Sequence, residues 1–491
     1  MTVADSRRDG PVAFGDLGLA AAIGRLAIDP ATIDTAAAGL ISAGVPIARF
    51  DPIGLYAAAV EAGLEAALIL RPSDGFALVG IGRAWSFEGS GPGRFLDADA
   101  ATRPLLGRAR ISRPADVRGL GPVLMVGLGF SGRQPDAAGD WAPFGAASLV
   151  LPSLVAVRSG DGSWLTGSVV ADGAGAGVAA EAARLDAVWS RVAARAAALA
   201  VPDGSQPPPA QAALAIDGEF PTPDHWRHVV GLMAGAVGRG RLDKVVFARR
   251  VDLSSSQELD VPGALRRLAA AAPESAIYAF RRGDATFIGA TPERLVRSEG
   301  RTYRTAAIAG SCRRGLDPAE DAALAAELLA SEKEREEHSV VVRAIRRQLA
   351  PLSERIEVAP TPRVMVLRHV QHLATEITGT LRDQAGLIAL AQLLHPTPAV
   401  GGEPTNLALA MIDENEGFDR GWYAGPIGWL GSGGDGELMV ALRCGLVRGS
   451  RASLFAGCGI VADSDPAREW DESRIKMRAV ATALGRAEDV L

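Results

Sequence analysis

Three consecutive prolines, Pro207 to Pro209, stand inside the stretch VPDGSQPPPAQ (201–211) and constrain this 491-residue chain more than any other feature. Each proline fixes its own φ, lacks an N–H and pushes the preceding residue out of the helical region. Neither a helix nor a central strand can run through such a stretch. The chain is therefore read in two parts. Residues 1–201 open with an amphipathic segment (31–65), continue as glycine-punctuated apolar runs that read as strands and turns, and end in an alanine-rich helical pattern over 179–200. Residues 212–491 alternate strand-like and helix-like stretches. KVVFAR (244–249), Ile277–Phe280 and LMVALRC (438–444) have strand composition, and GGDG (433–436) reads as the hairpin turn feeding the last of them, with Asp435 a turn residue.

Hydrophobic residues make up 48% of the chain and charged residues 22%, enough for a large core. The net charge is −6 and no long basic run occurs, which argues against a nucleic-acid partner or an anionic membrane surface. Cys312, Cys444 and Cys458 form no C-x-x-C pair, so neither a disulfide framework nor a thiolate zinc site is expected. The start, MTVADSRRDG, has no apolar segment behind its charges, and no apolar run approaches the ~18 residues of a membrane helix. A cytoplasmic protein is expected.

VLMVGLGFSG (123–132) places G-x-G-x-x-G after an apolar strand, the opening of a dinucleotide fingerprint. That motif needs a helix at once, because the helix N-terminus holds the pyrophosphate. The next residues, RQPDAAGDWAP, cannot start one, so the glycines read as a tight turn between strands.

Two helices carry carboxylates in unusual places. The first has Asp317 as N-cap, Pro318 at the first position and Glu320 completing a capping box, and its pattern runs to about Leu349. Leu324, Val341, Ile345 and Leu349 define its apolar face. Glu334, Glu337 and His338 point the same way, whereas Glu336 points out. Carboxylates on a buried face cost on the order of several kcal/mol each unless something positive meets them. The second helix starts at Asp465-Pro466 and ends before Gly485, with Trp470, Met477, Ala481 and Leu484 as its apolar stripe. Glu469, Glu472 and Lys476 share a strip beside that stripe. Alone this could be a surface ladder of ion pairs. Two Glu-x-x-Glu pairs together are what an oxygen-only divalent cation site requires, and magnesium takes one or two direct carboxylates plus waters.

Ten blocks stand in order: DKVVFARR (243–250), TPERLV (291–296), AIAGS (307–311), SEKEREEH (331–338), VQHLATEITG (370–379), LHPTPAVGG (394–402), GFDRGWYAGPIGW (417–429), VALRCGLV (440–447), AGCGIV (456–461) and SDPAREWDESRIK (464–476). On these blocks the chain resembles the chorismate-utilising enzymes, which include isochorismate, salicylate, anthranilate and aminodeoxychorismate synthases. The resemblance implies an α/β (α+β) fold in which two largely antiparallel sheets pack together with helices outside. Residues 1–201 would add strands to that fold, and 212–491 would form the chorismate-binding catalytic part. It also implies that Glu337 and Glu472 hold Mg²⁺ directly, with Glu334 and Glu469 reaching it through water. The metal would grip the ring carboxylate of chorismate. Tyr423, Arg443 and the backbone around Gly457 and Gly459 would meet the second carboxylate, with Lys476 near the metal end. Lys244 matches the general base that activates water, and Glu293 the general acid that protonates the departing hydroxyl.

Within the family, three positions discriminate. Ammonia-using members usually carry glutamine at the place of Lys244, so no glutamine amidotransferase subunit is expected. The nucleophilic lysine of aminodeoxychorismate synthases is replaced by Ala309. Ala399 stands where producers that go on to eliminate pyruvate tend to have threonine, and His395 is commoner among isochorismate producers. Ser311 and Glu334 replace threonine and aspartate with the functional group kept. The expectation is a Mg²⁺-dependent isochorismate synthase, monomeric or homodimeric, feeding menaquinone or a catechol siderophore. A salicylate synthase and a catalytically silent chorismate-binding relative are the alternatives. His369, His372 and Glu376 could suggest zinc, but a strand would turn the two histidines to opposite faces.

Overall fold

The computed structural model describes residues 18–27, 39–171, 177–201, 205, 213–366, 370–383 and 385–485. The first ten residues, nearly all of the proline stretch, and His369 lie outside them. Two sheets organise the fold. The larger has 13 strands, running Ala215–Phe220, Lys244–Ser254, Arg451–Ile460, Cys444–Arg448, Ala285–Thr291, Ala276–Arg282, and then Ala66–Arg71, Phe76–Ile81, Leu154–Ser159, Gly162–Ala171, Gly39–Pro46 and Arg110–Ser112, with Gly402–Glu403 beside Lys244. The smaller has ten, including Val370–Leu381, Thr302–Arg313, Arg294–Glu299, Gly436–Val440, Pro426–Gly431, Val123–Leu128, Ala147–Leu151 and Trp85–Gly89. Strands from both sides of residue 201 thus share each sheet. Neighbours pair antiparallel, except Gly39–Pro46 with Arg110–Ser112. The fold is the mixed α/β arrangement of two sheets and outer helices that the resemblance implies.

Period-two alternation explains the layers. Along Ala276–Arg282, Ala276, Tyr278 and Phe280 enter one apolar cluster, while Ile277 and Ala279 enter the other. The first cluster fills the space between the sheets. The second lies under helices Leu19–Ala27, Pro52–Glu61, Val178–Leu199, Val261–Ala271 and Pro466–Leu484. Helix Glu332–Leu349 packs instead on the smaller sheet, against Thr302–Arg313.

Four local expectations need correction. The pattern from Asp317 to Leu349 is two helices, Pro318–Ala330 and Glu332–Leu349, because Ser331 leaves the helical region (φ −63°, ψ 114°) and caps the second through Glu334 N. Glu320 accepts from Leu316 N rather than closing a capping box on Asp317. LMVALRC is interrupted after Val440 and resumes as a strand at Cys444. Helix Pro52–Glu61, within the segment read as amphipathic, is buried on nearly all sides. Gly127 lies within Val123–Leu128, Gly129 and Gly132 follow it in an irregular bend, and no helix follows them before the strand at Ala147. Asp435 sits in its hairpin turn and accepts from Gly119 N at 3.1 Å. Among the described residues no helix is long and apolar enough to cross a membrane.

Candidate active site

The site lies where the chain crosses between sheets twice, side by side. Ala285–Thr291 belongs to the larger sheet and Arg294–Glu299 to the smaller, so Pro292 and Glu293 form one crossing. Gly436–Val440 and Cys444–Arg448 are divided in the same way, with Ala441 to Arg443 as the other. Three hydrogen bonds tie the crossings together: Val440 N to Glu293 O (3.1 Å), Ala290 N to Arg443 O (3.1 Å) and Thr291 Oγ1 to Val440 O (2.6 Å). Arg443 turns the corner in the left-handed region, φ 49°. Its guanidinium has no hydrogen-bond or ion-pair partner among the described residues. Burial pulls its pKa below the usual arginine range, with Tyr423 and Glu472 opposing.

Lys244 opens its strand beside this corner. A Cβ on Gly459 would stand 2.2 Å from Lys244 Cε, and one on Gly457 would stand 2.9 Å from the Tyr423 hydroxyl, so a side chain at either position would displace the group above it. The same glycines present a free strand edge. Their partners across the ladder, Ala248 and Val246, send their N–H groups away, to Glu416 Oε1 (2.8 Å) and Gly401 O (2.9 Å). The polar groups of Gly457 and Gly459 therefore point to the other side, where the neighbouring strand stops at the Cys444–Phe455 pair. Lys476 Nζ takes the Gly457 carbonyl there at 2.8 Å, leaving amides facing the cleft.

Burial lowers the Lys244 pKa, with help from Lys476, against the opposing charges of Glu337, Glu472 and Glu293. Burial pushes the Glu293 carboxyl up to about 7, although Lys244 and Lys476 pull it down. Tyr423 is buried, stacked on Phe455 with centroids 5.5 Å apart, and its hydroxyl is pushed up by burial.

The carboxylate helices face the cleft from different sheets. Glu469 and Glu472 bring carboxylate oxygens within 4.8 Å of each other and of Cys458 Sγ, and Lys476 Nζ lies 2.5 Å from Glu472 Oε1. Glu334 accepts from Ser311 N at 3.3 Å. Glu334 and Glu337 do not join the Glu469–Glu472 group. Both Glu337 and Glu472 nevertheless act on the Lys244 ammonium. The buried-face reading of the first helix is corrected at Glu337, which is exposed; on the second helix the Glu472 side chain is 51% exposed. Of Glu334, Glu337 and His338, His338 is the buried one, its Nδ1–H donating to Ala309 O at 3.1 Å. Ala399 sits exposed on the loop after Leu387–Leu394, and His395 donates from Nε2 to Phe130 O at 2.9 Å.

Two residues were missed by sequence reasoning. Cys458, read only as a reduced cysteine, stands among the helix carboxylates, with its thiol pushed up by burial. His372 pairs its Nδ1 with Ser311 Oγ at 2.7 Å. Its pKa is lowered to about 4, chiefly by burial and then by Lys476 and Arg443. Strand periodicity assigns His372 a face but gives no sign that this face meets a cleft.

A family model for chorismate binding enzyme matches residues 27–485. The salicylate biosynthesis isochorismate synthase of Pseudomonas aeruginosa is 35% identical over 445 residues, covering 91% of this chain and 90% of that protein. The isochorismate synthase MenF of Bacillus subtilis is 36% identical over 366 residues, 74% of this chain and 75% of that one. Among solved structures, MenF, the menaquinone-specific isochorismate synthase from Escherichia coli, superposes with a TM-score of 0.74 at 26% identity, covering 91% and 95% of the two chains.

Proposed function

The chain belongs to the chorismate-binding enzyme family, and from that premise we propose that it is an isochorismate synthase, an isomerase that moves the ring hydroxyl of chorismate. The observation that carries the proposal is the opposed proton chemistry of Lys244 and Glu293 across one cleft, together with relatives that are isochorismate synthases over most of their length. Water adds at ring C2 while Lys244, whose charged form burial disfavours, takes the proton from it. The C4–O bond breaks as the double bonds shift. Glu293, protonated at its raised pKa, gives its proton to the departing hydroxyl, which leaves as water. No atom is gained or lost overall.

The substrate carries two carboxylates into an acidic protein, so local cations must receive them. Arg443, unpaired and partly desolvated, offers a planar fork for the enolpyruvyl carboxylate, with Tyr423 and the cleft-facing amides beside it. The donor set of Glu337, Glu472, Glu334 and Glu469, all oxygen, suits Mg²⁺, which when bound supplies positive charge to the ring carboxylate. Lys476 braces Glu472 at that end. Residues before 201 belong to the same catalytic unit in this reading, supported by their strands in both sheets. Position 399 itself carries no hydroxyl, consistent with isochorismate as the final product. Incubating the purified protein with chorismate and Mg²⁺ and identifying the product tests the proposal.

A further inference from the structure

Arg420 and Glu416 make a buried ion pair, each 3% exposed, and neither is among the residues assigned to the chemistry above. Its hydrogen bonds nevertheless end on the backbone next to three of them. Arg420 Nε donates to Glu416 Oε2 at 2.7 Å and Nη2 donates to Oε1, while Nη1 donates to Val400 O at 3.0 Å and Nη2 to Val246 O at 2.8 Å. Glu416 Oε1 also accepts from Ala248 N at 2.8 Å. Arg420 O receives Tyr423 N at 2.9 Å, and its guanidinium lies 5.7 Å from the Tyr423 ring centroid and 4.2 Å from that of Phe130.

Val246 is two residues from Lys244 on the same strand, Val400 follows Ala399, and Tyr423 lies over Gly457. The pair thus joins the strand of the base, the loop facing the ring and the tyrosine at the substrate's second carboxylate. A buried ion pair is weak evidence for stability, because desolvating both charges offsets their attraction. Apolar residues could fill the space; only a planar fork of donors can hold two carbonyls from separate elements while anchored on a carboxylate.

We propose that Arg420, seated on Glu416, is a positioning residue for the isomerisation, fixing the Lys244 strand against the Ala399 loop and Tyr423. The proposal rests on the isochorismate synthase reading. Loosening the pair would admit water along the strand and weaken the burial that disfavours charge on Lys244. Lys476, Glu337, Glu472 and Glu293 surround that ammonium, and none of them is bonded to the pair.

Arg420→Lys keeps the charge but offers one nitrogen, which cannot hold Val400 O, Val246 O and Glu416 together. Full-length Arg420→Lys is expected to lose kcat by roughly 10- to 100-fold, with a much smaller change in KM. The acidic limb of its kcat pH profile should move to higher pH, because a base whose pKa rises needs higher pH to be neutral. Glu416→Gln keeps an acceptor for Ala248 N and carries the same test, with a smaller shift, should the first variant not fold. Variants that melt earlier yet keep the wild-type kcat per folded molecule and the wild-type pH limb would overturn the positioning role. Wild-type protein assayed beside them separates the two claims: failure of the wild type to make isochorismate removes the function reading itself, whereas an active wild type with indifferent variants removes only this one.

Discussion

The same force shifts Lys244 and Glu293 in opposite directions. Burial disfavours charge on both, which makes the lysine easier to deprotonate and the carboxyl harder. Lys244→Ala should abolish isochorismate formation while chorismate still binds, as read by calorimetry; near-normal turnover would remove the base assignment. In the proposed acid role Glu293 must be protonated, so kcat/KM should fall as pH rises through about 7. Its stability linkage has a definite sign. A carboxyl raised from 4.5 to about 7 contributes fully below pH 4.5 and loses that contribution as pH rises through 7. Glu293→Gln should therefore be slow but melt higher than wild type at pH 8, with little difference at pH 4. Lys244 and Glu293 were legible from the ordered blocks. The conformation of Arg443 was not, because a left-handed residue at a crossing between sheets depends on pairings with Ala285–Thr291 and Pro426–Gly431, far away in sequence.

At the scale of elements, Ser331 is the instructive position. Helical periodicity runs through it unbroken, so the pattern merged two helices, although a serine three residues before Glu334 is also an N-cap signature. Its hydroxyl holds the first turn of the helix that carries Glu334 and Glu337. Ser331→Ala should cost about 1 kcal/mol of stability and raise the Mg²⁺ concentration needed for half-maximal activity, measured by thermal melts and a metal titration. The second helix was legible to its ends because Asp465, Pro466 and Gly485 signal locally. Glu437 shows what local signals omit. It is fully buried, and although burial opposes its charge, Arg71, Arg294 and Arg118 hold it at about 2. These arginines come from three separate stretches and tie the N-terminal strands to the one leading to Arg443. Glu437→Ala leaves three arginines without their partner and should destabilise the fold by about 3–5 kcal/mol, read by denaturant unfolding. The wild-type contribution is lost only as pH falls from about 4.5 toward 2.

For the whole molecule, composition and alternation indicated a large two-layer core but not the order of its strands. Lys244–Ser254 pairs with Arg451–Ile460, some 200 residues later, and no local pattern encodes that. Nor does sequence show that the two Glu-x-x-Glu helices rest on different sheets and look into one cleft, which is why Glu334 and Glu337 were read on a buried face although Glu337 is exposed. If Mg²⁺ binds these carboxylates as proposed, EDTA should abolish turnover, Mg²⁺ should restore it, and Glu472→Gln should raise the requirement. The most direct measurement remains the product formed from chorismate and Mg²⁺, with pyruvate release followed in the same vessel. Isochorismate without pyruvate is the expected result; salicylate with pyruvate, or bound chorismate that never turns over, would contradict it.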